Sequence, residues 1–586
     1  MALIARAIWC LALSAGFIDM AQAQSIPAAR PLQDPGQQLL DQQRDAARQR
    51  ALNQPDTPVI APAANADALN VPATTPVGEI NEPGTQFQID HIEVLGNSVL
   101  PTRKIDAIVA PFIGKQLGAQ RLSVLLKRLT EAFVEAGYVT SGAFLGPQNL
   151  ASGHLLITVQ VGHIAGYTLN GKAIVPLPPG STSLGGGLLT DAGTLNVFPG
   201  SPGEPLNLAD LDQGVAQLNR LQRNQAKVEI VPGEQAGDSI IAIANSPGDS
   251  LYFTAGSDNY GSSATGITRT RLGVEAENLF GWQEALNINA ITTLDSNAVV
   301  GTIAIPFGRY TVSYSVSDSD YQQLIGTTAL MYGRTLSHIL GLSQTQLRDQ
   351  SGTLTLNATL TWRRTDREVN DIPLTTQYLA VTRVSESWLH KFTANGAQGY
   401  FTLEGGVSQG LSALEASHDA SDIARSDAHS QFTKWDMNGS LNLPLPAIGG
   451  QNLAYRSSFA AQETTVALYG SEQLYLGGMD SVRGFRSGTL AADRGLWWKN
   501  ELTWTNAPSW QDGQIEPYVF LDGGKASLIA TPGFSSLVGA GAGVRLQGKW
   551  QGKTLSGEVM AGRGLIQPAA LGPSANLVLA TANLNF

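Results

Sequence analysis

Leu354–Arg363 reads LTLNATLTWR, and how this stretch folds settles the architecture of the whole C-terminal half. Leu354, Leu356, Ala358, Leu360 and Trp362 share one parity, while Thr355, Asn357, Thr359, Thr361 and Arg363 share the other. That is the period of a strand with one apolar and one polar face. The pattern recurs upstream, where Leu286, Ile288 and Ala290 interleave with Asn287 and Asn289, and Val312, Tyr314 and Val316 with Ser313, Ser315 and Ser317. A soluble sandwich alternates too, but here the polar faces are long and rich in Ser, Asn, Arg and Glu, as a wet lumen requires. The segments also reach the roughly 9–11 residues of a tilted membrane-spanning strand. Between Ser250 and Phe586 there are about sixteen of them, an even number as a closed bacterial barrel demands. The last puts Val578, Ala580, Ala582, Leu584 and Phe586 on one face, and its parity assigns that face to lipid.

Composition agrees with a barrel and excludes other classes. Only 15% of the 586 residues are charged and 43% are hydrophobic, yet no mature segment has the roughly 18 consecutive apolar residues of a spanning helix. A net charge of −11 with no clustered lysines or arginines argues against nucleic acid as a partner, because phosphate contacts need concentrated positive charge. Arg6, the apolar run Ala7–Ile18 and the small-residue triplet Ala21, Gln22, Ala23 make residues 1–23 a secretory signal peptide. The sole cysteine, Cys10, falls inside it, so the mature chain has no disulfide, no thiolate metal site and no cysteine nucleophile.

Residues 24–52 hold a polar helix within Asp34–Leu52, with Asp41 to Arg44 and Asp45 to Arg48 spaced to pair across one turn; on residues alone it reads as a frayed surface helix. Residues 53–85, rich in Pro, Ala, Thr and Asn, read as a flexible linker. Two α+β modules follow. In 86–163, Leu122, Leu125, Leu126, Leu129 and Phe133 make one helix face ended by Gly137, and Leu155, Ile157, Val159 and Val161 one strand face. In 164–247 the order repeats, with a helical stripe of Leu208, Leu211, Val215 and Leu218 and a strand pair containing Val228 and Ile230. The barrel occupies 248–586.

One segment of the barrel departs from alternation. Leu474–Gly488 reads LYLGGMDSVRGFRSG, too apolar for an exposed loop and punctuated by glycine, which suggests a loop folded inward. Its Val482, Arg483, Gly484 and Phe485 resemble the signature of the lid loop in the outer-membrane transporters of two-partner secretion. Phe520, Leu521, Asp522, Gly523 and Gly524 resemble that family's second signature. The resemblance implies a sixteen-stranded barrel, two periplasmic polypeptide-transport-associated (POTRA) modules, a pore plug at the N-terminal helix and a lid over 474–493.

A guanidinium held inside a lumen requires an anionic, preferably bidentate, partner. Glu516, Tyr518, Phe520 and Asp522 share a parity opposite Pro517, Val519 and Leu521, and the face carrying two acids cannot look at lipid without heavy cost. Asp522 therefore points inward and is the expected partner of Arg483, a contact that by resemblance docks the lid. Phe520 and Gly523 belong to the same partner motif, and Lys499 and Glu501 extend the inner network. Gly484 supplies a backbone angle that a residue with Cβ resists.

The resemblance further implies export of a large secreted exoprotein, similar to filamentous haemagglutinin or haemolysin. It would be captured unfolded by strand addition at the second module, where Leu208, Leu211, Val215, Leu218, Val228 and Ile230 are the candidate contacts. Outer-membrane lipid and the barrel-assembly machinery are the other expected partners. Two rival readings are an insertion factor for barrels or lipid components in the same superfamily, and a passive porin-like channel. Enzyme readings find no support: the histidines are scattered, no HExxH pair or nucleophile elbow occurs, and no cofactor site is visible. The group His418, Asp419, Asp422, Asp427 and His429 reads as a solvated loop rather than a metal site.

Overall fold

A computed structural model describes residues 34–53, 72–174, 192–325, 328–349, 351–505, 507, 513–531 and 533–586. The expected signal peptide, with Cys10, lies outside the described residues. Among the described residues, helix α1 (Pro35–Asn53) precedes the first module.

The first module contains β1 (Phe87–Ile89), β2 (His91–Leu95), α2 (Thr102–Val109), β3 (Lys115–Leu117), α3 (Ala119–Glu135), β4 (Gly142–Phe144) and β5 (His154–Gln160). Strands order as β2-β5-β4, with β2 and β5 parallel, beside a β1-β3 ribbon. The leucine stripe of α3 and the inward residues of β5 meet in one core with Ile89, Ile92 and Phe112. The expected linker ends earlier than its composition suggests. Ile80 is buried in this core, Glu82 accepts the amides of Gln120 and Arg121 at 2.8 Å each, and Arg128 donates to the carbonyls of Ala73 and Thr75 at 2.7 Å. A carboxylate on the free amides of a helix start is stabilising, and it ties residues 72–85 to the module.

The second module contains β6 (His163–Leu169), β7 (Lys172–Ile174), α4 (Ala192–Asn196), α5 (Leu208–Asn219), β8 (Lys227–Pro232) and β9 (Asp238–Ala244), in the sheet order β7-β6-β9-β8. Asn207 caps α5 by accepting the Ala209 amide at 2.9 Å. Strand β8 lies at the sheet edge.

Sixteen strands then run antiparallel to their neighbours in chain order. They are β10 (Leu251–Asp258), β11 (Arg269–Glu277), β12 (Ala285–Thr292), β13 (Ser296–Phe307), β14 (Tyr310–Ile325) and β15 (Ala329–Asp349), then β16 (Gly352–Val369), β17 (Gln377–Ala394), β18 (Ala397–Leu411), β19 (Thr433–Pro444) and β20 (Leu453–Thr464). The last five are β21 (Arg494–Trp504), β22 (Gly513–Ser527), β23 (Ser535–Trp550), β24 (Lys553–Ile566) and β25 (Asn576–Asn585). Strand β25 closes on β10 over Thr254–Asp258 and Thr581–Asn585, and Phe253 and Phe586 exchange backbone hydrogen bonds and stack at 5.6 Å. The parity expected from sequence holds: Val312, Tyr314, Val519, Leu521 and Val578 are exposed on the outer surface. Closure leaves no free edge strand, the condition for a sheet in lipid.

Helix α1 lies inside the lumen, because it touches opposite sides of the wall. Arg50 pairs with Glu275 of β11 at 2.6 Å and Arg48 with Glu404 of β18 at 3.2 Å, while Ser319 of β14 donates to Asp34 at 2.7 Å. Leu39 and Leu40 are buried against Ile291, Ala298, Val300 and Ile339. The sequence reading of a frayed surface helix gives way to the plug position.

Candidate functional site

The loop between β20 and β21, residues 465–493, folds into the barrel. Its arms pair as a short hairpin, Leu474–Leu476 against Leu490–Ala492. Between them Gly477 (φ +103°) and Gly478 (φ +106°) turn the chain in a region that L side chains resist, and the Ser481 hydroxyl accepts the Gly477 amide at 2.8 Å. The tip buries Val482 and Phe485 among Leu476, Leu490, Ala492, Ala526 and Leu537. This apolar seat explains why the stretch is too hydrophobic for an exposed loop.

Arg483, 1% exposed, reaches the wall from that seat. Its Nε and Nη2 donate to Asp522 Oδ2 and Oδ1 at 2.7 and 3.0 Å, its backbone amide donates to Oδ2 at 3.1 Å, and Nη1 donates to Glu501 Oε2 at 2.7 Å. Its guanidinium also stands 4.2 Å from the Phe520 ring centroid, a cation–π placement. The sequence-derived pair Arg483 and Asp522 is thus present and bidentate. Glu501 does more than extend a network, since it binds Arg483 directly. Lys499 donates instead to the loop's Met479 carbonyl at 2.6 Å.

Residues that the sequence reading missed complete the site. Arg545 on β23 grips Glu501 with both Nη atoms, at 2.6 and 2.8 Å, and its Nε lies 3.3 Å from Glu558. Tyr518 donates to Glu558 at 2.6 Å, with Arg545 over its ring at 4.2 Å. Further up the loop, Glu472 pairs with Arg363 at 2.8 Å and Lys434 at 2.9 Å, and Arg363 Nη2 also donates to Gln37 of the plug at 3.0 Å. Asp493 accepts the amides of Leu468 and Ile529. Charged residues of matching parity on neighbouring strands were the available signal for Arg545 and Glu558.

Glycine placement corrects one assignment. Gly484 (φ +92°) is as expected, since a Cβ there would come within 2.8 Å of the Arg563 backbone. Gly523, read as part of the partner motif, shares the outward parity of Val519 and Leu521, and a Cβ on it would meet only ordinary contacts at 3.8 Å. A Cβ would instead come too close at Gly524, 2.6 Å from Leu476 Cδ2, and at Gly539.

The candidate substrate contacts in the second module are also corrected. Leu211, Val215, Leu218, Val228 and Ile230 lie in the module's own core with Ile241 and Ile243, and Leu208 is only partly exposed. A helical stripe facing a sheet is core by the ordinary logic of amphipathic packing. The opposite face of α5 is spoken for by the barrel: Asp210 pairs with Arg309 at 2.6 Å, Gln213 accepts from Arg348 at 2.8 Å, and Gln217 donates to the Gly308 carbonyl at 3.2 Å. The outward residues of β8 are Lys227, Glu229 and Val231. In the loop of scattered histidines and acids, Asp419 accepts the Ser430 and Gln431 amides at 2.7 and 2.9 Å, and so serves loop folding.

These features define a class: an outer-membrane barrel of sixteen strands, with an inward loop latched on its wall, a helix in its lumen and two modules on the periplasmic side. A family model described as haemolysin secretion/activation protein ShlB/FhaC/HecB matches residues 237–546, a POTRA model of ShlB type matches 87–162, and a second POTRA model matches 163–232. The chain belongs to that haemolysin secretion/activation family, the transporters of two-partner secretion. It is similar to the outer membrane transporter CdiB of Dickeya dadantii, with 28% identity over 86% of this chain and 87% of that one. It is also similar to the hemolysin transporter protein ShlB of Serratia marcescens, with 29% identity over 66% and 67%. A solved structure of CdiB from Escherichia coli matches with a TM-score of 0.75 at 27% identity, covering 94% of this chain and 97% of that one.

Proposed function

We propose that this transporter exports one large, strand-forming exoprotein, adhesin or cytolysin, which crosses the lumen unfolded and folds outside. The observation that carries the reading is the contrast between its two obstructions. The loop tip is latched dry, through an arginine with two acids at 1% exposure. The helix is tied to the wall by the partly exposed pairs Arg48–Glu404 and Arg50–Glu275 and by the packing of Leu39 and Leu40, and pairs open to water contribute at most about 1 kcal/mol each. A helix whose polar ties to the wall are open to water suits removal, and a dry latch suits a lid that moves only under load.

Residues 86–163 and 164–247 serve as the two modules, 248–586 as the barrel and 474–493 as the lid. Capture proceeds by main-chain pairing along the edge of β8, with Glu229 and Val231 beside the added strand. No chemical step is needed, so the activity is transport without catalysis. The barrel-assembly machinery inserts the chain, and outer-membrane lipid bathes its apolar face.

Co-expression with large secreted proteins encoded nearby tests the reading. One of them should reach the medium only when this chain is present, and a cysteine placed at Glu229 should cross-link to it in transit. General loss of other barrel proteins on depletion, with no export dependence, would replace this reading by the assembly one.

A further inference from the structure

The wall beneath Arg483 is not an ordinary ladder. Strands β21 and β22 pair in one register from Arg494 opposite Ser527 to Trp498 opposite Gly523, and again from Glu501 opposite Phe520 to Thr503 opposite Tyr518. The two positions between, Lys499 opposite Asp522 and Asn500 opposite Leu521, carry no ladder pairing among the described residues.

Side chains fill the gap from both faces. On the lumen side the Asn500 amide donates to Asp522 Oδ1 at 3.0 Å, and Arg483 Nη2 lies 3.5 Å from the Asn500 carbonyl. On the lipid side Asn500, which shares the parity of Trp498 and Leu502, donates its Nδ2 to the Leu521 carbonyl at 3.1 Å, while its Oδ1 accepts from the Tyr455 hydroxyl at 2.5 Å. In hydrocarbon a carbonyl on that face finds no water, and an unsatisfied one is strongly unfavourable there. An amide is the side-chain group that can supply a donor there and have its own acceptor satisfied by a neighbouring hydroxyl.

We propose that Asn500 is a positioning residue of the lid dock: from the lipid side it carries the hydrogen bond that the opened wall has lost. The opening leaves the Asn500 amide free to hold the Asp522 carboxylate in line with Arg483. The inference rests on the reading of 474–493 as a movable lid.

The test uses the full-length transporter with Ser487→Cys as a reporter inside the lid, since no other cysteine remains after the signal peptide. The readout is its labelling rate by a water-soluble maleimide, with heat-modifiable migration as the check that the barrel is folded. Arg483→Ala should raise the rate, and Asn500→Leu should raise it about tenfold, the scale of one unsatisfied buried polar group. Combining Asn500→Leu with Arg483→Ala should add nothing, because both act through Asp522. Tyr455→Phe, which leaves the wall side chains in place and removes only the hydroxyl, should give a smaller rise of about threefold, and it decides the matter if Asn500→Leu fails to insert. A folded Asn500→Leu or Tyr455→Phe barrel with unchanged labelling, or an effect additive with Arg483→Ala, overturns the inference alone. Unchanged labelling in Arg483→Ala overturns the lid reading as well.

Discussion

The carbonyl oxygen of Arg483 lies 1.8 Å from the point where a Cβ on Gly539 would stand. A side chain at 539 and a docked 474–493 loop exclude each other. Gly539→Ala should therefore unseat the loop while β23 still pairs, since alanines 540 and 542 already occupy the same strand. Planar-bilayer recordings should show larger or more frequent openings, with Gly523→Ala, on the outward face, indistinguishable from wild type.

Removing Arg483 affects its two acids unequally. Glu501 keeps Arg545, whereas Asp522 keeps only the Asn500 amide. Breaking a buried pair from one side leaves an uncompensated charge, with a cost of about 3–5 kcal/mol. Arg483→Ala should abolish or strongly impair export without preventing insertion, and Asp522→Asn in the same chain should restore part of the lost thermal stability but none of the export. Secretion assays and detergent melting separate these outcomes.

Plug retention should depend more on two leucines than on the visible ion pairs. Leu39 and Leu40 are each 5% exposed, and burial of such a side chain contributes about 1.5–3 kcal/mol, against about 1 for each of the partly exposed pairs Arg48–Glu404 and Arg50–Glu275. Leu39→Ala with Leu40→Ala should raise the open-channel fraction well above the level of Arg48→Ala with Arg50→Ala, measured as single-channel occupancy at 0.1 M and 1 M salt. Only the arginine variants should lose their effect in high salt, because screening already removes what they delete.

At the junction of module and barrel, Glu277 is fully buried and accepts the Gln222 and Arg223 amides at 2.9 Å each, while Arg309 and Asp210 are partly exposed. Glu277→Ala should loosen the second module by about 1–3 kcal/mol, seen as faster limited proteolysis at residues 245–250. Arg309→Ala should change the rate little.

Strand parity made most of the barrel legible, because a period of two leaves no choice of face once one acid is placed. It gave Asp522 its direction, and it would have placed Gly523 outward had it been applied to that residue. The α5 stripe misled for a related reason: a stripe at helical spacing reports burial without saying against what. Gln213 and Gln217, one turn apart on its other face, were the trace of the barrel contact. Gly539 and Asn500 left no comparable trace, because their roles depend on a loop that reaches them from another part of the chain, which no local period encodes.

Asp522 accepts four hydrogen bonds, three from Arg483 and one from Asn500, which fills the acceptor capacity of a carboxylate. A polypeptide moving through the lumen finds no spare lone pair on Asp522 and must displace an existing donor to engage it. On the lid reading of 474–493, release should then be a threshold event, with small fluctuations of the cargo leaving it shut and a sustained pull opening it whole.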